Sequence, residues 1–247
     1  MDRYTTKRRL QRPLTAWRRR RTRHLGPINH PVWEAMGYRP AMRRFFHAMR
    51  ANAELLVDAD LPDDAVVLDV GAFEGEWSAR VLARADARGG GSLLIHAFEP
   101  EPGAITRLRG TVGRDERVQI HSFGLAGGDR LAPLSVGGPG SSVYDNPSVP
   151  MTFGSAEVHL RDVADVLSSL NVHHIDLVKI NIEGGEFELI DRMHETGWLA
   201  RTGPVIVQFH EFAPKAHRAR RRNRRQLAKT HRCTWNYPWV YERWDPR

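Results

Sequence analysis

"AVVLDVGAFEGEWSARVLAR", residues 65–84, reads as a strand, a glycine turn and a helix. Its first six residues form an apolar run of strand length, and "WSARVLARA" (77–85) repeats apolar residues at helical spacing. Between them Gly71 and Gly75 stand among three acids, Asp69, Glu74 and Glu76. Gly71 lets the chain bend sharply, and Gly75 lets a ligand approach the backbone. A glycine turn that cradles phosphate uses G-x-G-x-x-G or a glycine loop ending in lysine. This turn has neither spacing, and it has acids instead.

Further along the chain, "SLLIHAFEP" (92–100) reads as the next strand, with Glu99 at its tip. An acid at that position accepts hydrogen bonds from both hydroxyls of a ribose. The helix that follows the first turn offers free amides. Together these features predict a nucleoside ligand with a cationic part and no phosphate. S-adenosylmethionine has an ammonium, a sulfonium and a free ribose, and it fits that description.

The same rhythm continues along the chain. Strands are expected at 65–70, 92–100, 117–125, 175–184 and 203–212, with helices at 77–85, 103–112, 161–170 and 185–195. Leading helices are expected within 31–59, a basic helix near 214–230, and one or two strands in "CTWNYPWVYERW". Alternation of this kind implies an α/β fold, a mostly parallel sheet with helices on both faces. The stretch 126–157 breaks the rhythm and is rich in Gly, Ser and Pro, so it reads as a long functional or disordered loop.

Composition narrows the class. At 247 residues and 41% hydrophobic, the chain has the means for one domain with a sizeable core. The sequence shows no apolar run of the roughly 20 residues that span a bilayer. "MDRYTTKRRLQRPLTAWRRRRTRHLGP" lacks a signal-peptide core. A single cysteine, Cys233, excludes a disulfide framework and a cysteine-based metal site. The expected location is cytoplasmic, with peripheral contact at the inner membrane surface allowed by the basic segments. Residues 1–23 hold ten Lys/Arg against one Asp, and the other 224 residues sum to −1. The expected division is a basic arm over 1–30 and a folded domain over 31–247.

Four segments carry a resemblance: "LDVGAFEGEWS" (68–78), "IHAFEPEP" (95–102), "DLVKINIEGGEFELI" (176–190) and "VIVQFHEF" (205–212). In this order the sequence resembles a class I methyltransferase of the FkbM family, over about 65–212. The third segment is the most specific to that family. The resemblance implies a Rossmann-like, seven-stranded mostly parallel sheet and S-adenosylmethionine as methyl donor. It also implies methylation of a hydroxyl on a sugar, glycolipid or glycosylated natural product, so the expected partner is a small-molecule or lipid-linked carbohydrate acceptor. Carried over by position, the cofactor site is Asp69, Gly71, Ala72, Glu74 and Gly75 at the first turn and Glu99 and Pro100 at the second. Gly124, Leu125 and Asn181 complete it, with Phe123 to Ala126 nearest the adenine. Gly140 to Ser142 resembles a family segment near the cleft. Where the family has Asp, this chain has Asn181, which keeps the hydrogen-bonding shape and loses the charge.

Methyl transfer to a hydroxyl benefits from a general base. The candidates are Lys179, Asn181 and Glu183 at the tip of one late strand and His210 and Glu211 at the tip of the next, with Glu183 or His210 favoured as the base. Three of them have a plainer reading: Lys179 paired with Asp176 or an acid of the turn, Glu183 capping the helix opening at 185, and His210 bonded to backbone. No His/Asp set has metal spacing, and no required metal is expected. "RARRRNRR" (218–225) spreads six arginines almost all round a helix. Attraction to phosphate, in nucleic acid or anionic lipid, makes RNA- or DNA-directed methylation the rival reading. A non-catalytic binding protein that keeps the nucleoside site is the third. Trp235, Tyr237, Trp239 and Tyr241 alternate with period two, and packing into the core is favoured over stacking on sugars. Pro238 argues for an interruption or an edge strand.

Overall fold

A computed structural model describes residues 38–144 and 154–247. The basic arm over 1–30 lies outside the described residues. In chain order the elements are α1 (Tyr38–Ala51), β1 (Val66–Val70), α2 (Glu76–Ala87), β2 (Leu94–Phe98), α3 (Pro102–Val112) and β3 (Val118–His121). Next come β4 (Gly124–Ala126), β5 (Arg130–Ser135), β6 (Ser155–Asp162), α4 (Val163–Ser169), β7 (Leu177–Ile180) and α5 (Glu186–Glu195). The chain continues through β8 (Val205–Val207), α6 (Ala216–Leu227), β9 (His231–Tyr237) and β10 (Tyr241–Pro246).

The main sheet has seven strands in the order β3-β2-β1-β7-β8-β10-β9. Strands β3 to β8 of that order run parallel, and β10 lies antiparallel to both β8 and β9. From central β1 the chain winds first to β2 and β3, then returns to β7 on the other side. The strand order therefore reverses between β1 and β7, and the crevice at their carboxyl ends is the switch point where such sheets bind ligands.

Strand alternation builds two cores. Val67, Ile95, Leu177 and Ile206 face α1, α2 and α3, while Leu68, Phe98, Val178 and Val205 face α4, α5 and α6. Both faces of the parallel strands are covered, which is why they read as continuous apolar runs.

Three sequence expectations are corrected. Residues 117–125 are two strands, not one: the chain leaves the main sheet after His121, and β4 belongs to a second sheet, β4-β6-β5. Much of 126–157 is likewise strand. β5 and the start of β6 pair antiparallel over a small core that includes Ala132, Leu134, Val158 and Leu160. Residues 145–153 of that stretch lie outside the described residues. Both strands bury only alternate residues, so their apolar content is too thin to stand out among Gly, Ser and Pro.

The basic helix α6 is the third correction. Its arginines are not spread to solvent all round, because Arg220 is buried and donates from Nε to Glu242 Oε1 at 2.7 Å. Arg224 donates to Glu242 Oε2 at 2.6 Å, and Arg222 to Asp191 Oδ1 at 2.8 Å. In the tail, β9 ends at Tyr237 and β10 begins at Tyr241. Trp239 sits in the turn between them at φ 64°. Trp235, Tyr237 and Trp239 are buried, but in different cores, so the four aromatics do not share one face.

Candidate active site

A cleft of about 300 Å³ opens at the carboxyl ends of β1, β2 and β7. Its floor is the glycine turn. Gly71 and Ala72 both donate backbone N–H to Phe98 O at 3.0 Å, which ties the turn to β2. Gly71 takes φ 81°, and a Cβ there would stand 2.0 Å from Asn181 O. Gly75, at φ 85°, ends the turn immediately before α2. Glycine is needed at Gly71 twice over, for the left-handed backbone and for the close approach of the 181 carbonyl.

Asp69 and Lys179 are buried beneath this floor. Lys179 Nζ donates to Asp69 Oδ1 at 2.9 Å and to Gly71 O at 2.6 Å, while Ser78 Oγ donates to Asp69 Oδ2 at 2.7 Å. The acid partner of Lys179 is thus Asp69. Asp176 instead accepts from Val66 N at 2.8 Å. Asp69 and Gly75 do not line the cleft, whereas Gly71, Ala72, Glu74 and Lys179 do.

At the tip of β2, Glu99 lines the cleft and is buried. Its Oε2 accepts from Phe73 N at 2.8 Å and its Oε1 from Glu101 N at 2.9 Å. Burial pushes its carboxyl up, against the pull of these two amides and the charge of Lys179. The neighbouring Glu101 caps α3, accepting from Gly103 N and Ala104 N at 2.7 and 2.6 Å. Glu74 accepts from Arg107 Nε at 2.7 Å. Pro100, Gly124 and Leu125 also reach the cleft.

The third wall is the turn after β7. Asn181 lines the cleft, and its buried Oδ1 has no hydrogen-bond partner. Glu183 lines the cleft too, in a left-handed conformation at φ 48°. It does not cap α5, whose N-cap is Gly185 without a side-chain bond. Its Oε1 lies 3.1 Å from His210 Nε2, and His210 Nδ1 lies 3.3 Å from Glu186 Oε1. His210 is buried behind Glu183 and does not line the cleft. Burial opposes charge on this imidazole, but Glu186 and Glu183 outweigh it and raise its pKa to about 10. At neutral pH His210 is therefore a cation clamped between two carboxylates.

Glu186 organises this wall, and nothing in its sequence surroundings singles it out. It is fully buried and accepts from His210 N at 2.7 Å and from Gly184 N at 2.8 Å. An acid in the first turn of a helix reads as a dipole partner, and only the fold shows that it bridges two strand ends. Ser142 Oγ donates to the Glu183 carbonyl at 2.6 Å, which brings the 138–144 segment over the turn. Tyr241, from β10, completes the wall; burial raises its phenol pKa, as do the charges of Asp69 and Glu183. Among the described residues no three His, Cys, Asp or Glu side chains converge as a metal site. Nor is any helix among them long and apolar enough to cross a membrane.

The strand order, with one antiparallel strand inserted between β8 and β9, and a cleft floored by an acidic glycine turn define a class I, Rossmann-like methyltransferase. The chain belongs to the FkbM family: the model described as the methyltransferase FkbM domain matches residues 69–227. Over those residues it carries the S-adenosylmethionine-dependent methyltransferase domain of that family. The AMB antimetabolite synthetase AmbE of Pseudomonas aeruginosa is 25% identical in an alignment 188 residues long that covers 61% of this chain and 9% of that protein. The chain thus spans less than a tenth of that relative's length. Among solved structures, a fibrillarin–Nop5p complex matches with a TM-score of 0.46 at 11% identity, over 85% of this chain and 84% of that one. Precorrin-6y C5,15-methyltransferase from Geobacter metallireducens matches with a TM-score of 0.42 at 15% identity, over 81% and 88%. The N-methyltransferase NodS from Bradyrhizobium japonicum, with S-adenosylhomocysteine, matches with a TM-score of 0.39 at 9% identity, over 84% and 88%.

Proposed function

We propose that this methyltransferase acts on a hydroxyl of a small acceptor of the carbohydrate type, a sugar, glycolipid or glycosylated natural product. The observation that carries the reading is Glu183, a carboxylate on the cleft wall held from behind by the His210 cation.

The residues present suit the cofactor. Glu99 keeps lone pairs for ribose hydroxyls beyond the two amides it accepts, and the partnerless Asn181 Oδ1 offers an acceptor to a ligand N–H. Glu74, Gly71 and Ala72 at the first turn, with Pro100, Gly124 and Leu125 opposite, form the rest of the cofactor wall. Asp69 and Gly75 support it from below. S-adenosylmethionine supplies an electrophilic methyl on a sulfonium. Glu183 takes the hydroxyl proton as the acceptor oxygen attacks. His210 and Glu186 orient that carboxylate, and Lys179 with Asp69 fixes the floor; these are positioning residues. Much of the acceleration comes from holding acceptor and donor in line.

Small acceptors suit the charge as well. Outside the arm the chain sums to −1, and three arginines of α6 are engaged by Glu242 and Asp191. A nucleic-acid acceptor keeps one observation in its favour: Arg218, Arg221 and Arg225 are exposed on α6. Both readings are tested by incubating the protein with labelled S-adenosylmethionine and either a panel of sugars and glycosides or total RNA. Label in the sugars, lost in E183Q while S-adenosylhomocysteine still binds, is the expected result. Label in RNA alone, with salt-sensitive binding, overturns it.

A further inference from the structure

The side of the cleft formed by α2 and the loop after α1 has a chemistry of its own. Trp77 and Arg80 stand three residues apart on one face of α2. Trp77 Nε1 donates to Leu56 O at 2.8 Å, and the Arg80 guanidinium donates to Ala53 O. These bonds hold the loop after α1 against α2 and bring Leu56 to the cleft wall. Tyr241 enters the cleft from β10, its ring stacked on Phe45 of α1 with centroids 5.4 Å apart. Leu56 and Tyr241 both lie outside the span shared with the family.

The charged side chains of the cleft divide sharply. Lys179 is taken by Asp69, Glu74 by Arg107, Glu183 by His210 and Glu188 by Arg130. Glu101 caps a helix, and Glu99 accepts two amides. Glu76, one helical turn from Arg80, is exposed to water. Arg80 lines the cleft half-buried, and among the described residues no carboxylate pairs with it. It is a guanidinium pinned through one amino group to a loop carbonyl, with its other donors available. Apolar Leu56 and the Trp77 indole beside it reduce screening by water, which strengthens its pull on an anion.

We propose that Arg80 binds an anionic group, carboxylate or phosphate, on the acceptor, so that the substrate is an acidic hydroxyl compound of the uronic acid or sugar phosphate type. The planar fork of a guanidinium matches either group with paired hydrogen bonds. The anion then fixes which hydroxyl reaches Glu183. This assignment rests on the reading of the cleft as a hydroxyl-methylating site.

The test is a titration of the full-length protein, loaded with S-adenosylhomocysteine, with glucuronate, glucose 6-phosphate and glucose. At least one acidic sugar should bind tenfold or more tighter than glucose. A preference for glucuronate alone identifies a carboxylate, and for glucose 6-phosphate alone a phosphate. R80M should erase the preference and R80K should keep part of it. Equal affinities, no binding of any of the three, or a preference intact in R80M overturns the assignment. If R80M also loses S-adenosylhomocysteine, R80K decides: a preference kept with the charge supports the site, and its absence overturns it. Methylation of neutral hydroxyl compounds without acid preference would remove Arg80 alone. Arg80-dependent binding with no hydroxyl methylated would leave the site standing and remove the reaction.

Discussion

Lys179 Nζ lies 2.9 Å from Asp69 Oδ1, and the two residues are register partners on the adjacent parallel strands β7 and β1. One ion pair thus joins the two strands at the point where the sheet order reverses. The same ammonium holds Gly71 O at 2.6 Å, so the pair also sets the height of the turn.

K179M leaves Asp69 buried with Ser78 as its remaining side-chain partner. Removing one member of a buried pair costs about 3–5 kcal/mol. Urea unfolding should show a loss of that size, with S-adenosylhomocysteine binding weakened because the turn is no longer held. The double variant D69N/K179M should recover part of the stability. A fully stable K179M would mean that the pair is dispensable to the fold.

Gly71 and Gly110 form a matched contrast. At Gly71 any side chain meets the 181 carbonyl, and the backbone is left-handed; at Gly110, within α3, an added Cβ has nothing within 4 Å. G71A should lower the melting midpoint sharply and abolish cofactor binding. G110A should stabilise by about 0.5–1 kcal/mol through helix propensity. Thermal melts of the two variants side by side check the pair.

Glu99 braces two amides besides facing the cleft. E99A should weaken S-adenosylhomocysteine binding by about 1.5–3 kcal/mol, the usual worth of hydrogen bonds to a charged group. Calorimetric titration measures it. E99Q, which keeps acceptor oxygen but not charge, should fall between wild type and E99A. Unchanged affinity in E99A would remove Glu99 from the cofactor site.

Two histidines set opposite limbs of the pH–stability curve. The His210 pKa is raised to about 10 from 6.5, so its contribution is complete below pH 6.5 and is lost as pH rises toward 10. His96 is buried, with its Nδ1 3.0 Å from His121 Nε2; burial first, then the His121 charge, lowers its pKa to about 4. Between pH 6.5 and 4 the unfolded chain takes up that proton first, so stability falls as pH falls through this window. Chemical unfolding at a series of pH values should show both slopes. H210Q should flatten the alkaline limb and cost about 3 kcal/mol at pH 6.5 by leaving Glu186 without its counter-charge. H96F should flatten the acid limb alone.

The parallel half of the fold was legible because doubly covered strands must be apolar throughout, as "AVVLDV" and "DLVKI" are. Strands β5 and β6 were not. They bury alternate residues only, and β5 carries Pro133 within it. The glycine turn after β1 and the place of Glu99 at the tip of β2 could be read because both positions are set by neighbours close in sequence. Glu186, Arg80 and Tyr241 could not be placed that way. The first joins two strand ends, the second grips a loop that precedes β1, and the third arrives on a strand that runs backwards. The arginines of α6 misled for the same reason: Glu242, which engages two of them, lies on β10.

The position of Tyr241 in the chain has a consequence for synthesis. Residues 69 to 210 leave the ribosome with the turn, Glu99, Glu183 and His210 already made, but Tyr241 arrives only with β10, which pairs with β8. A nascent chain that has reached Leu227 holds Glu99 and Glu183 in a cleft that still lacks Tyr241. Translation itself thus delays completion of this cleft until β10 has followed β8 and paired with it.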